Sequence, residues 1–117
     1  MKNLLILFLI YLITFSKCLA LDFIKVDKGI YVHFGKQEDS NTQNFGDIAN
    51  IGFIIGKKSI AVIDTGASIK IGKEMFKKIR EISKLPISHI IITHSHPDHF
   101  LGTEALLKDN PVTVSYT

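Results

Sequence analysis

The chain has 117 residues, of which 46% are apolar and 21% charged, and it contains 8 Gly, 3 Pro and a single Cys. These values exclude a collagen-like, disulfide-scaffolded or low-complexity disordered protein and allow one modest globular domain. The formal charge is +3, but Lys2 and Lys17 supply two of those charges. Residues 21–117 therefore carry 12 basic against 11 acidic side chains, which gives no electrostatic signal for nucleic acid.

The first twenty residues have the pattern of a secretory signal peptide. Lys2 precedes an apolar run over 4–15, and Cys18 and Ala20 are small residues next to the expected cleavage site after Ala20. The pattern predicts export to the periplasm or the cell exterior, with a mature chain that has no Cys and no membrane partner. An uncleaved anchor and a lipoprotein attached through Cys18 are the alternatives, but Lys17 ends the run short of the roughly 20 apolar residues of a span.

Short β-type runs and one long helical pattern follow. In chain order, the patterns predict a hairpin over 23–34 around Asp27-Lys28-Gly29, a polar loop over 36–47, a hairpin over 51–63 around Gly56-Lys57-Lys58, a helix over 69–82, a buried strand within 87–93, a short helix around 103–108 and a strand-like run over 111–116. The second hairpin is apolar on both faces, which is typical of a covered sheet. This order indicates an α+β fold, a sheet with helices on one face.

The helix prediction depends on a change of period from two to three or four residues. The apolar positions are Ile69, Gly72, Met75, Phe76, Ile79 and Ile82. We expect Pro86 to stop this helix and an ion pair between Glu74 and Lys78 to support it. Acids are interspersed with its bases, which favours a solvated face over a docking patch.

Four metal-binding side chains lie within six residues directly after the buried strand, in His94-Ser95-His96-Pro97-Asp98-His99. Imidazole and carboxylate together suit Zn²⁺ or a similar metal. His94 and His96 are two apart in an extended segment and can hold one ion, whereas Asp98 and His99 follow a turn and can reach a second ion. Two ions about 3.5–4 Å apart would clamp a substrate and share a hydroxide. A chance His-rich surface loop is the alternative reading.

This motif resembles the H-x-H-x-D-H signature of the metallo-β-lactamase superfamily. The upstream run Ala61-Val62-Ile63-Asp64-Thr65-Gly66 is similar to that family's first conserved element, and it stands in the expected order. The runs over 29–35 and 46–56 are similar to an exported subgroup, the SoxH-like zinc metallohydrolases of quinoprotein relay systems. The resemblance covers nearly all of residues 21–117.

The resemblance implies an αββα sandwich, of which residues 21–117 form the N-terminal half, with the metal site at one sheet edge. It implies that His94 and His96 bind a first zinc, that Asp98 and His99 bind a second, and that Asp98 is the catalytic residue among them. Asp64 matches a residue that supports the metal loop, and a carboxylate there can accept a ring N–H.

The chemistry implied by the resemblance is that of an exported hydrolase. In such enzymes a zinc-activated hydroxide attacks the carbonyl carbon of a small-molecule ester, thioester or amide. Iron or manganese can take the place of zinc, and iron-dependent oxidation of sulfur compounds such as persulfides is the alternative reaction on the same fold.

The site of the family also needs a third His, a bridging carboxylate and a final His, all after the motif. No His follows His99, and Glu104 and Asp109 are the only acids there. The chain thus supplies two ligands for each metal, half of a tetrahedral set. We expect a fragment of a longer enzyme, and the alternative is a truncated product without catalysis.

Three further features have more than one interpretation. The catalytic loop of retroviral-type aspartic proteases is also similar to Asp64-Thr65-Gly66-Ala67. Those proteins are almost wholly β, however, whereas a helix is predicted directly after this segment. His33 and His89 lie in apolar strand patterns. We expect His33 to be a packed or edge histidine and His89 to be exposed at the start of its strand.

Overall fold

The computed structural model describes residues 19–116. Its elements are strands β1 (Ile24–Asp27), β2 (Ile30–His33), β3 (Ile51–Ile55) and β4 (Ile60–Ile63), helix α1 (Ile69–Ile82), strand β5 (Ile87–Ile92), helix α2 (Pro97–Phe100), a 3₁₀ helix (Thr103–Asp109) and strand β6 (Val112–Ser115). The predicted signal peptide, residues 1–20, lies outside the described residues except for its last two. Within residues 19–116, no helix combines the length and hydropathy that a membrane span requires.

All six strands form one sheet in chain order. The first four strands are antiparallel neighbours, and both predicted hairpins are confirmed. Strands β5 and β6 run parallel to β4 because a helix returns the chain between successive strands. The carboxyl ends of β4, β5 and β6 therefore meet at one edge of the sheet.

Helix α1 has the predicted bounds. Ser68 caps it by accepting a hydrogen bond from the backbone N–H of Ile71, and the helix ends at Ile82, before Pro86 is reached. The predicted Glu74–Lys78 ion pair is wrong. A carboxylate oxygen of Glu74 lies 3.9 Å from Lys77 Nζ instead. Lys78 Nζ lies 3.2 Å from a carboxylate oxygen of Glu81, which is three residues further along the helix.

The core lies between α1 and one face of the sheet. The side chains of β4 and β5 that point toward α1 are buried. They pack with the apolar side of the helix and with Leu106 of the 3₁₀ helix. The members of this layer are Ile60, Val62, Ile90, Ile92, Ile71, Met75 and Ile79. The predicted sheet with helices on one face is confirmed.

The opposite face of the sheet is also apolar, but it is less covered. The strand register aligns one row across all six strands: Ile24, Val32, Gly52, Ile63, Ile91 and Val114. A second row contains Ile54, which is 42% exposed, and Val112, which is 59% exposed. Such a face is typical of a sheet that packs against another layer.

The burial difference along α1 gives a prediction about stability. Ile79 is fully buried and Ile82 is 42% exposed. Ile79→Val should lower the free energy of unfolding by about 1 kcal/mol, because it removes one buried methylene, whereas Ile82→Val should change it by less than about 0.5 kcal/mol. Urea unfolding of both variants measures this difference, and equal effects would contradict the packing described for α1.

Candidate metal centre

The turn that leaves β4 is built by a left-handed backbone. Asp64 has φ 55° and Gly66 has φ 86°, and aspartate is one of the few side chains that tolerate this region. A Cβ on Gly66 would lie 2.2 Å from the Ile71 side chain, so the turn packs directly on α1. The Asp64 side chain is buried there, with the residue 3% exposed.

The Asp64 carboxylate holds the segment that follows β5. Its Oδ1 accepts the backbone N–H of Thr93 at 2.8 Å, and its Oδ2 accepts the Thr93 hydroxyl at 2.7 Å. The same Oδ2 lies 2.7 Å from His99 Nδ1, which donates to it. One buried carboxylate thus joins the two ends of the His94–His99 loop.

Backbone contacts fix the far end of this loop to the same turn. Helix α2 starts with Pro97 at its first position, and Thr65 N–H donates to His99 O at 2.8 Å. Gly102 N–H donates to Gly66 O at 3.0 Å. The Thr65 hydroxyl lies 3.0 Å from that of Thr103 and also reaches His99 O at 3.3 Å. The loop is therefore anchored at both ends.

The structure brings the four predicted ligands together in the two predicted pairs. His94 Nε2 lies 3.2 Å from His96 Nδ1, and His99 Nε2 lies 3.4 Å from Asp98 Oδ2. The rings of His94 and His99 connect the pairs, with centroids 3.9 Å apart. All four side chains are half-buried or exposed, so solvent and small molecules reach them.

These separations allow a test of whether metal ions fit. Two ligands that each lie 2.0–2.1 Å from a tetrahedral zinc are about 3.3 Å apart. Both donor pairs match this spacing, so each can supply two ligands to one ion. Residues 19–116 contain no group of three His, Cys, Asp or Glu side chains that could hold one ion, so each pair provides half of a tetrahedral set.

The acids after the motif do not complete either pair. Asp109 forms an ion pair with Arg80 and accepts the backbone N–H of Ile87 at 2.8 Å, which joins the 3₁₀ helix to α1 and β5. Glu104 is exposed on the 3₁₀ helix. Asp109 therefore contacts the first residue of β5, whereas the His94–His99 loop follows the end of that strand.

The other two histidines of the described residues lie outside this cluster. His33 is 7% exposed, with Nδ1 donating to Asp22 O at 2.9 Å and Nε2 2.6 Å from Asp47 Oδ1. It is a packed histidine, as predicted. His89 is exposed on β5 beside Ser88, which also agrees with its prediction.

Sequence reasoning assigned no role to the threonines around the loop. Thr93 Oγ1 lies between Asp64 Oδ2 and His94 Nδ1, the latter at 2.9 Å. Thr65 and Thr103 share a contact under α2. Thr93 stands inside the recognised motif, but its contacts depend on the register of β4 with β5, which a local pattern does not contain.

Comparisons with known proteins identify the family and agree with the fold. A family model described as the metallo-beta-lactamase superfamily matches residues 44–116. A linear primary-alkylsulfatase of Pseudomonas sp. (strain ATCC 19151) is 34% identical over 55 residues, and the alkyl/aryl-sulfatase BDS1 of Saccharomyces cerevisiae is 34% identical over 67 residues. These alignments cover 47% and 56% of this chain, but only 10% of each relative.

Two solved structures have a similar fold. They are the enzyme TMB-1, with TM-score 0.64 and 22% identity, and the metallo-beta-lactamase FIM-1 of Pseudomonas aeruginosa in its mono-zinc form, with TM-score 0.67 and 21% identity. The matches cover 86% and 87% of this chain and 44% of each solved chain. The chain thus spans less than half the length of these structures and a tenth of its curated relatives.

Proposed function

The chain belongs to the metallo-beta-lactamase superfamily, and from this premise we propose that it is the N-terminal part of an exported, metal-dependent hydrolase with its metal loop at His94–His99. The predicted superfamily and its fold are confirmed by the family model and the solved structures. The family match supports a metal-dependent hydrolase, and the two curated relatives are named as sulfatases. The reaction, the substrate and the export of this chain are parts of the proposal.

The arrangement of two donor pairs on one anchored loop is the observation that carries the proposal. His94 and His96 would hold one ion, and Asp98 and His99 the other. Zinc bound there supplies a Lewis acid and water of lowered pKa. The chain's own contribution is orientation: Asp64 accepts a hydrogen bond from His99 Nδ1–H, so the lone pair of His99 is on Nε2, the ring nitrogen that lies beside Asp98.

Two substrate classes follow from the observations. The resemblance implies attack on the carbonyl of an ester, thioester or amide. The two curated relatives are named as an alkylsulfatase and an alkyl/aryl-sulfatase, and this favours a sulfate ester as the second candidate. Both reactions are hydrolyses, and iron-dependent persulfide oxidation is the alternative of a different class.

The open sheet face supports the view that this chain is one part of a larger domain. On this face one row of uncharged residues, from Ile24 to Val114, crosses all six strands, and the apolar side chains of Ile54 and Val112 beside it are 42% and 59% exposed. Sheets with two apolar faces are covered on both sides in folded proteins. We propose that a second layer packs there and that the polypeptide forming it contributes the remaining ligands of both ions.

Zinc binding tests the proposed loop directly. The purified chain, dialysed against micromolar zinc, should retain zinc at both pairs, and His94→Ala and Asp98→Ala should each lose the ion of their own pair. His89→Ala is the matched control, because it removes an exposed imidazole five residues from His94. Metal analysis by mass spectrometry gives the zinc content per chain. Unchanged zinc in both loop variants would contradict the assignment.

The type of reaction requires a separate assay. The complete zinc-loaded protein, in which the second layer supplies the remaining ligands, should hydrolyse p-nitrophenyl acetate if carbonyl esters are its substrates, and a long-chain alkyl sulfate if sulfate esters are. The iron-loaded protein with glutathione persulfide should then consume no oxygen. Oxygen uptake with iron and no hydrolysis with zinc would replace the hydrolase proposal by the oxidoreductase.

A further inference from the structure

Thr93 lies between the buried carboxylate of Asp64 and the ring of His94. We propose that Thr93 is a positioning residue that transmits the orientation of Asp64 to His94 and so fixes which ring nitrogen of His94 is free for a metal ion. The inference deepens the proposed function, because it concerns the same loop. It does not require that the chain hydrolyse anything.

The direction of each hydrogen bond follows from counting protons. Three donors point at the Asp64 carboxylate, so both of its oxygens act as acceptors. The Thr93 hydroxyl lies 2.7 Å from Asp64 Oδ2 and must give its single proton to that oxygen. Toward His94 Nδ1, 2.9 Å away, Thr93 Oγ1 can then only accept. His94 therefore carries its proton on Nδ1, and its Nε2 presents a lone pair.

The same carboxylate oxygen sets the second pair directly. His99 Nδ1 donates to Asp64 Oδ2 at 2.7 Å, so His99 also presents Nε2 as a lone pair. One oxygen thus determines the tautomer of one histidine in each donor pair, through Thr93 for His94 and without an intermediary for His99. Ligands whose free ring nitrogen is fixed in this way need no rearrangement before an ion binds.

Two substitutions separate the hydroxyl from the shape of the side chain. Thr93→Val keeps the branched shape and the backbone N–H to Asp64, but it removes the acceptor of His94 Nδ1. Thr93→Ser keeps the hydroxyl. Proton–nitrogen correlation spectra of the metal-free chain, recorded at about pH 8 where unperturbed imidazoles are neutral, report the tautomer of each ring. His94→Ala and His99→Ala spectra assign the signals.

We expect the Nδ1–H tautomer for His94 and His99 in the parent chain and in Thr93→Ser. In Thr93→Val, His94 should populate the Nε2–H tautomer while His99 keeps its form. Zinc affinity should fall about tenfold in Thr93→Val, the lower end of what loss of such supporting contacts costs, and should remain near the parent value in Thr93→Ser.

Two results would overturn the inference. One is an unchanged His94 tautomer in Thr93→Val, and the other is an equal change of His94 and His99, which would mean that the hydroxyl only supports the loop as a whole. If this chain has the expected tautomers but the complete zinc-loaded protein hydrolyses neither p-nitrophenyl acetate nor an alkyl sulfate, the proposed function is contradicted and this inference stays in place. The two failures are therefore distinguishable.

Discussion

Gly102→Ala should lower the free energy of unfolding by about 3 kcal/mol and loosen the metal loop, although the backbone of Gly102 suits any residue, with φ −83° and ψ −5°. The cost is steric. A Cβ at this position would lie 2.0 Å from the carbonyl oxygen of Thr65. That carbonyl cannot retreat freely, because Thr65 N–H is bonded to His99 O and the turn packs on α1.

The second close approach at Gly102 comes from α1. A Cβ on Gly72 would lie 2.2 Å from Gly102 O, so helix and loop pack backbone against backbone. Gly56→Ala is the control, because Gly56 lies in an exposed hairpin turn and its Cβ would meet only Ser59 O, at 3.1 Å. It should cost less than about 1 kcal/mol. Urea unfolding compares the two variants, and equal stabilities would show that the close approach of Gly102 to the Thr65 carbonyl does not hold the loop.

Most of the secondary structure could be predicted because its causes are local. Both hairpins are marked by short apolar runs around glycine-containing turns, and α1 is marked by its period, with Ser68 as its cap. The predicted Glu74–Lys78 ion pair was wrong because spacing in the sequence does not decide which of several neighbours a charged side chain contacts. Several partners are within reach on a charged helix face, and the side-chain conformations decide among them.

The candidate site also has features with local causes, which the sequence predicted, and features with long-range causes, which it did not. The pairs His94 with His96 and Asp98 with His99 are neighbours in sequence, so the spacing alone predicted them. Asp64 lies 29 residues before Thr93, and only the resemblance to the family connected it with the loop. The tautomer of His94 depends further on the parallel register of β4 with β5, in which Ile63 aligns with Ile91.

Long-range packing explains the rest. The role of Asp109 as the partner of Arg80 requires α1, β5 and the 3₁₀ helix to be in place, and the sequence showed only an acid ten residues after His99. The sequence also did not predict that the two faces of the sheet are buried to different extents. An apolar strand has the same pattern whether or not its second face is covered by the residues at hand.

Asp64→Asn should weaken both the fold and zinc binding, because Asp64 is 3% exposed and accepts three hydrogen bonds. An amide keeps one acceptor oxygen and turns two N–H groups toward donors, so at least one buried group loses its partner. We expect a loss of about 2–3 kcal/mol of stability and a 10–100-fold loss of zinc affinity.

The matched substitution Asp98→Asn separates the two effects of this prediction. Asp98 is half-buried, and its carboxylate lies 3.4 Å from His99 Nε2, whose lone pair offers it no proton for a hydrogen bond. Asp98→Asn should therefore lose zinc from its pair while costing less than about 1 kcal/mol. Urea unfolding without metal and zinc titration give both quantities for each variant. If Asp64→Asn unfolds like the parent chain and binds zinc as tightly, the buried carboxylate does not organise the loop, and the tautomers of His94 and His99 must be set by other contacts.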